Sequence, residues 1–170
     1  AWFKLISCGH SKSPAHFQSM VLLSVEGNIG AGKSTLMQLL KTRGFLIKPE
    51  PVVDWTIASK DGTTINVLEE YYNNPKKYCF CLQTGCLRSR VDQTRFIDNG
   101  FVERSVYSDK RVFADLQLKL GNMDLIEYGC YLKQWEQAIR DTKKRAINGH
   151  IYLRTDWQTC FERKNQRQRA

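Results

Sequence analysis

Residues 27–35 read Gly27-Asn28-Ile29-Gly30-Ala31-Gly32-Lys33-Ser34-Thr35, and their flanks give the stretch its meaning. Before it, Val21-Leu22-Leu23-Ser24-Val25 is an apolar run that predicts a short buried strand. After it, Leu36-Met37-Gln38-Leu39-Leu40-Lys41 predicts a helix. Strand, Gly-rich loop and helix, spaced G-x-x-x-x-G-K-S, make a phosphate-binding P-loop. The chemistry accounts for the residue types. A glycine-rich loop brings backbone N–H groups close to phosphate oxygens. The helix behind it adds N–H donors without intrahelical partners and a partial positive charge. Lys33 has the reach for β- and γ-phosphates, and the Ser34 hydroxyl suits Mg²⁺. The bland alternative is a strand-to-helix turn with a chance Lys-Ser; the agreement of motif and flanks decides against it. A nucleoside triphosphate is implied. Hydrolysis, switching and phosphate transfer all remain open at this point.

The chain has 170 residues, enough for one domain with a real core. Its apolar fraction of 42% excludes a disordered sequence. No apolar run approaches the roughly 18 residues of a membrane span, so no membrane partner is expected. The six cysteines, Cys8, Cys79, Cys81, Cys86, Cys130 and Cys160, contain no C-x-x-C pair. That argues against a zinc site and for a reduced, intracellular enzyme. His10, His16 and His150 stand in no catalytic spacing. The formal charge of +9 admits nucleic acid, an acidic surface or anionic substrates. The excess lies late, in Arg140, Lys143, Lys144 and Arg145 and then Arg154, Arg163, Lys164, Arg167 and Arg169. No aromatic residues interleave with Arg163, Lys164, Arg167 and Arg169 as a single-strand stacking platform requires. Phosphate chemistry is therefore favoured over nucleic-acid binding.

Residues 1–19 hold Lys4 and Lys12, no acidic residue and no Arg, and Met20 directly precedes the first strand. They are set apart as a tail, either the remnant of a mitochondrial transit peptide or upstream sequence. Arg43-Gly44 stops the P-loop helix, and Phe45-Leu46-Ile47 predicts a second strand. It runs into Pro49-Glu50-Pro51-Val52-Val53-Asp54-Trp55, where two prolines bar a helix. Strand C-terminal ends of a parallel sheet face the ligand crevice. Glu50 and Trp55 are then a general base with an aromatic wall, or equally a solvated loop Glu and a core Trp. Residues 56–66 predict a polar loop turning at Asp61-Gly62, followed by a short helix from Asn66 to Tyr72 that Asn73-Asn74-Pro75 ends.

A long helix is expected from Pro75 to about Ile97. On it Phe80, Gln83, Leu87 and Arg90 share one face, with Gln83 and Arg90 about 10 Å apart along the axis. Gln83 offers one acceptor and two donors in a plane, enough to read a nucleobase edge; alternatively, both polar side chains simply reach water. After the turn at Asn99-Gly100, Phe101-Val102 starts a strand ending in Glu103-Arg104-Ser105. Beside a P-loop, such a strand-end acid is the expected partner of Mg²⁺, and Arg104 can hold phosphate or the attacking hydroxyl. The alternative is a surface ion pair at a strand edge. Val106–Leu120 predicts a helix with Asp109 and Phe113 on one face, stopped by Gly121-Asn122. Met123–Arg140 predicts an amphipathic helix packed through Leu125, Ile126, Cys130, Tyr131, Trp135 and Ile139. Ile147–Leu153 predicts a strand, and Thr155-Asp156 caps a last helix bearing Arg163, Arg167 and Arg169. Arg163 and Arg167 repel at i, i+4 unless polyphosphate lies between them, or they are a solvated basic helix end.

Taken in order, GNIGAGKST, PEPVVDW, NNPKKYCFCLQT, ERSVYSDKRVFA and IYLRTDWQTCFER resemble the deoxyribonucleoside kinases, from about Val21 to the last residue. ERSVYSD combined with PEPVVDW is far more specific than the P-loop alone. The resemblance implies an α/β P-loop kinase fold, a parallel sheet flanked by helices, with an Arg-rich lid helix, over residues 20–170. It implies Mg²⁺-dependent transfer of the ATP γ-phosphate to the 5′-hydroxyl of a deoxynucleoside, in nucleotide salvage, by a dimer in the cytoplasm or the mitochondrion.

By the same resemblance, residues 27–35 and the lid arginines Arg163, Arg167 and Arg169 hold ATP. Glu50 is the carboxylate at the 5′-hydroxyl. Glu103, with Ser34, lies near Mg²⁺, and either acid is a candidate for the proton. Arg104 steadies the 5′ end, Trp55 and Phe113 sandwich the base, Tyr72 touches the sugar and Gln83 reads the base edge. Arg90 and Asp109 match an Arg–Asp pair of deoxycytidine and deoxyguanosine kinases, which favours deoxycytidine or purine deoxynucleosides over thymidine. Cys86 departs from the pattern of either branch. The family continues beyond the lid with an acid for the sugar 3′-hydroxyl, a further strand and an adenine-contacting loop. The expectation is therefore a fragment or an odd splice product. A kinase of nucleoside monophosphates and an inactive nucleotide-binding remnant are the competing readings.

Overall fold

The apolar run before the Gly-rich loop becomes strand β2 (Leu22–Gly27), with Leu22, Ser24 and Val25 buried. Helix α1 (Lys33–Thr42) follows the loop directly and buries Met37. The computed structural model describes residues 3–7, by their backbone alone, together with 21–95, 97–142 and 147–166. The chain divides into two compact units: Ala1–Pro49, Thr94–Ser105 and Arg145–Ala170 in the first, Glu50–Gln93 and Val106–Lys144 in the second.

The first unit is built on a sheet in the order β1-β7-β2-β6-β3. β2 pairs in parallel with β6 (Gly100–Glu103) and with β7 (Gly149–Leu153), and β6 pairs in parallel with β3 (Ile47–Lys48). Parallel neighbours need long crossover connections, which is why strands adjacent in space lie far apart in sequence. The predicted second strand is displaced: Phe45 and Leu46 are exposed, and only Ile47 and Lys48 pair. The tail set apart from the fold contributes a strand, for β1 (Phe3–Ser7) runs antiparallel to β7, from Phe3↔Leu153 to Ser7↔Gly149. Leu22, Ile97 and Val102, with Ile147 packed against them, fill the space beside the sheet. Helix α7 (Trp157–Gln166) is capped by Asp156, whose carboxylate accepts from the N–H groups of Gln158 and Thr159.

The second unit is largely helical. A single 3₁₀ turn (Val52–Trp55) leads into a hairpin of β4 (Thr56–Ala58) and β5 (Thr64–Asn66). This hairpin corrects the expected polar loop. Asp61 accepts from both the N–H and the hydroxyl of Thr63, and three-residue strands either side of that turn are too short to show a period. Asn66 caps α2 (Val67–Asn73) by accepting from Leu68 and Glu69. Pro75 opens α3 (Pro75–Arg95), a position where its missing N–H costs nothing.

The expected helix over 106–120 is not uniform. It runs as α4 (Val106–Ser108), a π-helical stretch (Asp109–Ala114) and α5 (Asp115–Lys119). The Asp115 N–H reaches back to the Lys110 carbonyl, an i→i+5 bond, so the i, i+4 spacing of Asp109 and Phe113 does not stack them as an α-helix would. Helix α6 (Leu125–Thr142) begins with a capping box: Asp124 accepts from Ile126 and Glu127 while Glu127 accepts from the Asp124 N–H. Its apolar residues are split. Tyr131 is buried, and Trp135 and Ile139 pack against the core formed by Cys79, Leu87, Val91, Val106, Ala114, Met123 and Ala138. Leu125, Ile126 and Cys130, expected inside, are exposed. Among the described residues no helix is long and apolar enough to cross a membrane.

Candidate functional site

Two groups of candidate residues form, one in each unit. In the first, β2 ends at Gly27 and the loop Asn28–Gly32 carries the chain into α1. Gly30 has φ 82° and packs so closely on α7 that a Cβ there would collide with the Cys160 carbonyl, so only glycine fits. The loop is fixed from the same side by the Thr155 hydroxyl, which donates to the Ala31 carbonyl at 3.1 Å. Arg163 Nη1 lies 3.4 Å from the Gly30 carbonyl, so α7 brings an arginine onto the loop. Arg167 and Arg169 lie outside the described residues. Buried Lys33 curls back so that Nζ donates to the Asn28 carbonyl at 2.9 Å. Asn28, Ile29 and Thr35 line the loop as exposed residues.

Glu103 ends β6, the strand beside β2, in register with Val25. The Ser34 hydroxyl stands 3.4 Å from each of its carboxylate oxygens, beyond a good O–H···O hydrogen bond. A hydroxyl and a carboxylate at this spacing are oxygen donors of the kind Mg²⁺ takes, one carboxylate supplemented by phosphates and waters. Among the described residues no group of three or more His, Cys, Asp and Glu could hold a metal by themselves. The residues therefore fit an Mg²⁺–nucleotide better than a bare metal. Arg104 follows with φ 67°, a left-handed backbone of the kind that accumulates at functional sites, and its N–H donates to the Val25 carbonyl. Glu103 ends an interior strand, Arg104 follows it, and both are buried, which overturns the surface-ion-pair alternative.

In the second unit Arg90 on α3 joins two carboxylates. Its Nη2 donates to Glu50 Oε1 at 2.8 Å and its Nε to Asp109 Oδ1 at 2.6 Å. The side chains of Arg90 and Asp109 are 4% and 2% exposed, that of Glu50 22%. Burial works against the Arg90 charge, but Asp109 first and Glu50 second outweigh it, and its pKa is raised. The Tyr131 ring is buried within electrostatic reach of Asp109, and its pKa is pushed up, by burial foremost.

Gln83 lies two turns before Arg90 on the same face, 6% exposed. Its amide makes no hydrogen bond among the described residues. Its amide atoms keep some accessible surface, so water or a planar ligand can complete their hydrogen bonds. The alternative in which both side chains reach water is overturned for Arg90, whose side chain is 4% exposed and paired with Glu50 and Asp109. Trp55 is buried against Val67, Leu82 and Cys86, and its indole N–H donates to Ser89 Oγ at 3.0 Å. Phe113 is half-buried in the π-helical stretch, and Tyr72 is exposed on α2 with its ring 5.4 Å from that of Tyr71. Ser89 was invisible in the sequence, because a serine inside a helix carries no periodic signal.

A P-loop on a mainly parallel sheet, with a strand-end acid beside its serine, defines a P-loop nucleotide-binding protein of the α/β class. The family model for deoxynucleoside kinases matches residues 23–170, and the chain belongs to that family. It is 33% identical over 156 residues to a probable deoxycytidine kinase of fowlpox virus, covering 86% of this chain and 61% of that one. It is 33% identical over 172 residues to deoxycytidine kinase 2 of Gallus gallus, covering 86% and 64%. It is 31% identical over 171 residues to the mitochondrial deoxyguanosine kinase of Xenopus laevis, again covering 86% and 64%. The chain thus spans under two thirds of the length of these relatives.

Proposed function

We propose that this chain carries the machinery for transferring the γ-phosphate of ATP to the 5′-hydroxyl of a deoxyribonucleoside, with deoxycytidine or a purine deoxynucleoside preferred over thymidine. The observation that carries the reading is Gln83, 6% exposed and with an amide that no described residue hydrogen-bonds, on the helix face that also presents the Arg90–Asp109 pair. That arrangement asks for a planar polar ligand, which a nucleobase is. The names of the relatives, deoxycytidine and deoxyguanosine kinases, support the same substrate class.

The residues divide the work. Backbone N–H groups of residues 27–35, Lys33 and Arg163 hold the donor phosphates, with Arg167 and Arg169 proposed for the same lid. Ser34 and Glu103 would hold Mg²⁺, which neutralises phosphate charge when bound. Glu50, exposed enough to meet a substrate and oriented by Arg90, takes the proton of the 5′-hydroxyl. Glu103 is buried against Ser34, which suits it to the metal instead. Arg104 steadies the 5′ end, Trp55 and Phe113 face the base and Tyr72 the sugar. Catalysis is then positioning and charge stabilisation.

Glu50→Gln tests the assignment. It keeps the hydrogen bond to Arg90 but removes the base. Turnover should fall by about 10²–10⁴-fold while ATP affinity stays within about twofold. Equal losses in both would remove Glu50 from that role.

We propose a homodimer, supported by the exposure of Leu125 at 79% and Ile126 at 78% at the start of α6. The free thiols Cys79, Cys81, Cys86, Cys130 and Cys160 suit a reducing compartment, the cytoplasm first. The mitochondrial relative supports the mitochondrion as the second reading, and fractionation of tagged protein separates the two.

A further inference from the structure

Glu50 and Trp55 are the two ends of one short segment, and two consecutive residues of α3 hold them. Arg90 binds Glu50 at 2.8 Å. One residue earlier, Ser89 Oγ accepts the Trp55 indole N–H at 3.0 Å. Ser89 donates its own proton to the Cys86 carbonyl, one turn back, at 2.9 Å. A hydroxyl has one proton, so with that proton committed its oxygen faces the indole as an acceptor. Ser89 and Trp55 are both buried, and water does not compete strongly for either group. Between the anchors the backbone is braced by bonds from Val52 N–H to the Glu50 carbonyl and from Asp54 N–H to the Pro51 carbonyl, both 2.9 Å.

The apolar contacts of Trp55 with Val67, Leu82 and Cys86 are non-directional. They leave the indole a broad torsion about χ2. The bond to Ser89 selects one plane. We propose that Ser89 is a positioning residue for nucleoside binding: it fixes the plane of the Trp55 indole, and with Arg90 it lets α3 hold carboxylate and aromatic wall in a single register. This rests on the reading of Trp55 as a wall of the base subsite.

The test compares Ser89→Ala, which removes the acceptor, with Ser89→Thr, which keeps it. In Ser89→Ala the KM for deoxycytidine or deoxyguanosine should rise about three- to tenfold, the range one hydrogen bond supports. The kcat and the KM for ATP should move by less than about twofold, and Ser89→Thr should restore the nucleoside KM. The Trp55 indole N–H resonance, assigned by its loss in Trp55→Phe, should shift and exchange faster with solvent in Ser89→Ala alone. An unmoved resonance, an unmoved nucleoside KM, or a parallel loss of kcat and both KM values would each overturn the proposal. Trp55→Ala isolates the underlying reading. If it leaves the nucleoside KM unchanged, Trp55 is not the wall, whatever the resonance shows.

Discussion

Replacing Arg90 by methionine removes the guanidinium that joins Glu50 and Asp109. The two carboxylates will not respond alike. Glu50, 22% exposed, can recover water around its charge. Asp109, whose side chain is 2% exposed, cannot do so without opening the packing around it. Breaking a buried pair by deleting one partner typically costs about 3–5 kcal/mol, because a charge stays behind in a poorly solvating site. For a domain of this size each kcal/mol moves the melting temperature by about 2–4 °C, so Tm should fall by roughly 6–20 °C. The second half of the prediction is the rescue. Arg90→Met combined with Asp109→Leu removes both buried charges, and apolar replacements of buried pairs are often nearly neutral. The double variant should recover most of the loss. Thermal unfolding followed by circular dichroism, with urea midpoints as an independent scale, measures both effects. A single variant within about 1 kcal/mol of wild type, or a double variant no more stable than the single, would refute the claim that this bridge is a paired buried charge.

Burial, aided by Glu127, pushes the Cys79 thiol up from about 9 to about 12. A raised folded-state pKa stabilises the fold below the unfolded pKa and is lost as pH rises from about 9 towards 12. Cys79→Ala should therefore lose less stability than wild type between pH 9 and pH 10, and urea midpoints at those two pH values with an identical slope would contradict this. If Leu125 and Ile126 form a dimer contact, Leu125→Asp with Ile126→Asp should convert dimer to monomer in sedimentation while leaving the circular dichroism spectrum unchanged; an unaltered dimer would place the interface elsewhere.

Much of the P-loop group is legible because its pattern is written in consecutive residues. The P-loop spacing, the strand before it and the Asp156 cap each depend on a handful of neighbours, and local rules suffice. The group around Arg90 depends on residues far apart in sequence. Gln83 and Arg90 are anomalous on an apolar helix face, but only the fold shows that Arg90 meets Glu50 and Asp109 and that Gln83 is 6% exposed.

The β4–β5 hairpin is made of three-residue strands, too short for a period to stand out from the polar residues around them. The π-helical stretch shifts the period that places Asp109 and Phe113, and periodicity assumes a constant turn. Amphipathicity points Leu125 and Ile126 inward because it presumes that apolar residues seek the core of their own chain, yet both are exposed. The Asp124…Glu127 capping box was present as a local pattern and gives α6 a start two residues beyond Met123.

Phosphate transfer is measured with radiolabelled ATP. The chain, with Lys33→Ala as control, is incubated with Mg²⁺ and with deoxycytidine, deoxyguanosine, deoxyadenosine and thymidine in turn. Label should appear in the monophosphate of deoxycytidine or a purine deoxynucleoside, more than in that of thymidine, and not in the control. Folded protein that binds ATP yet labels none of the four would contradict the account.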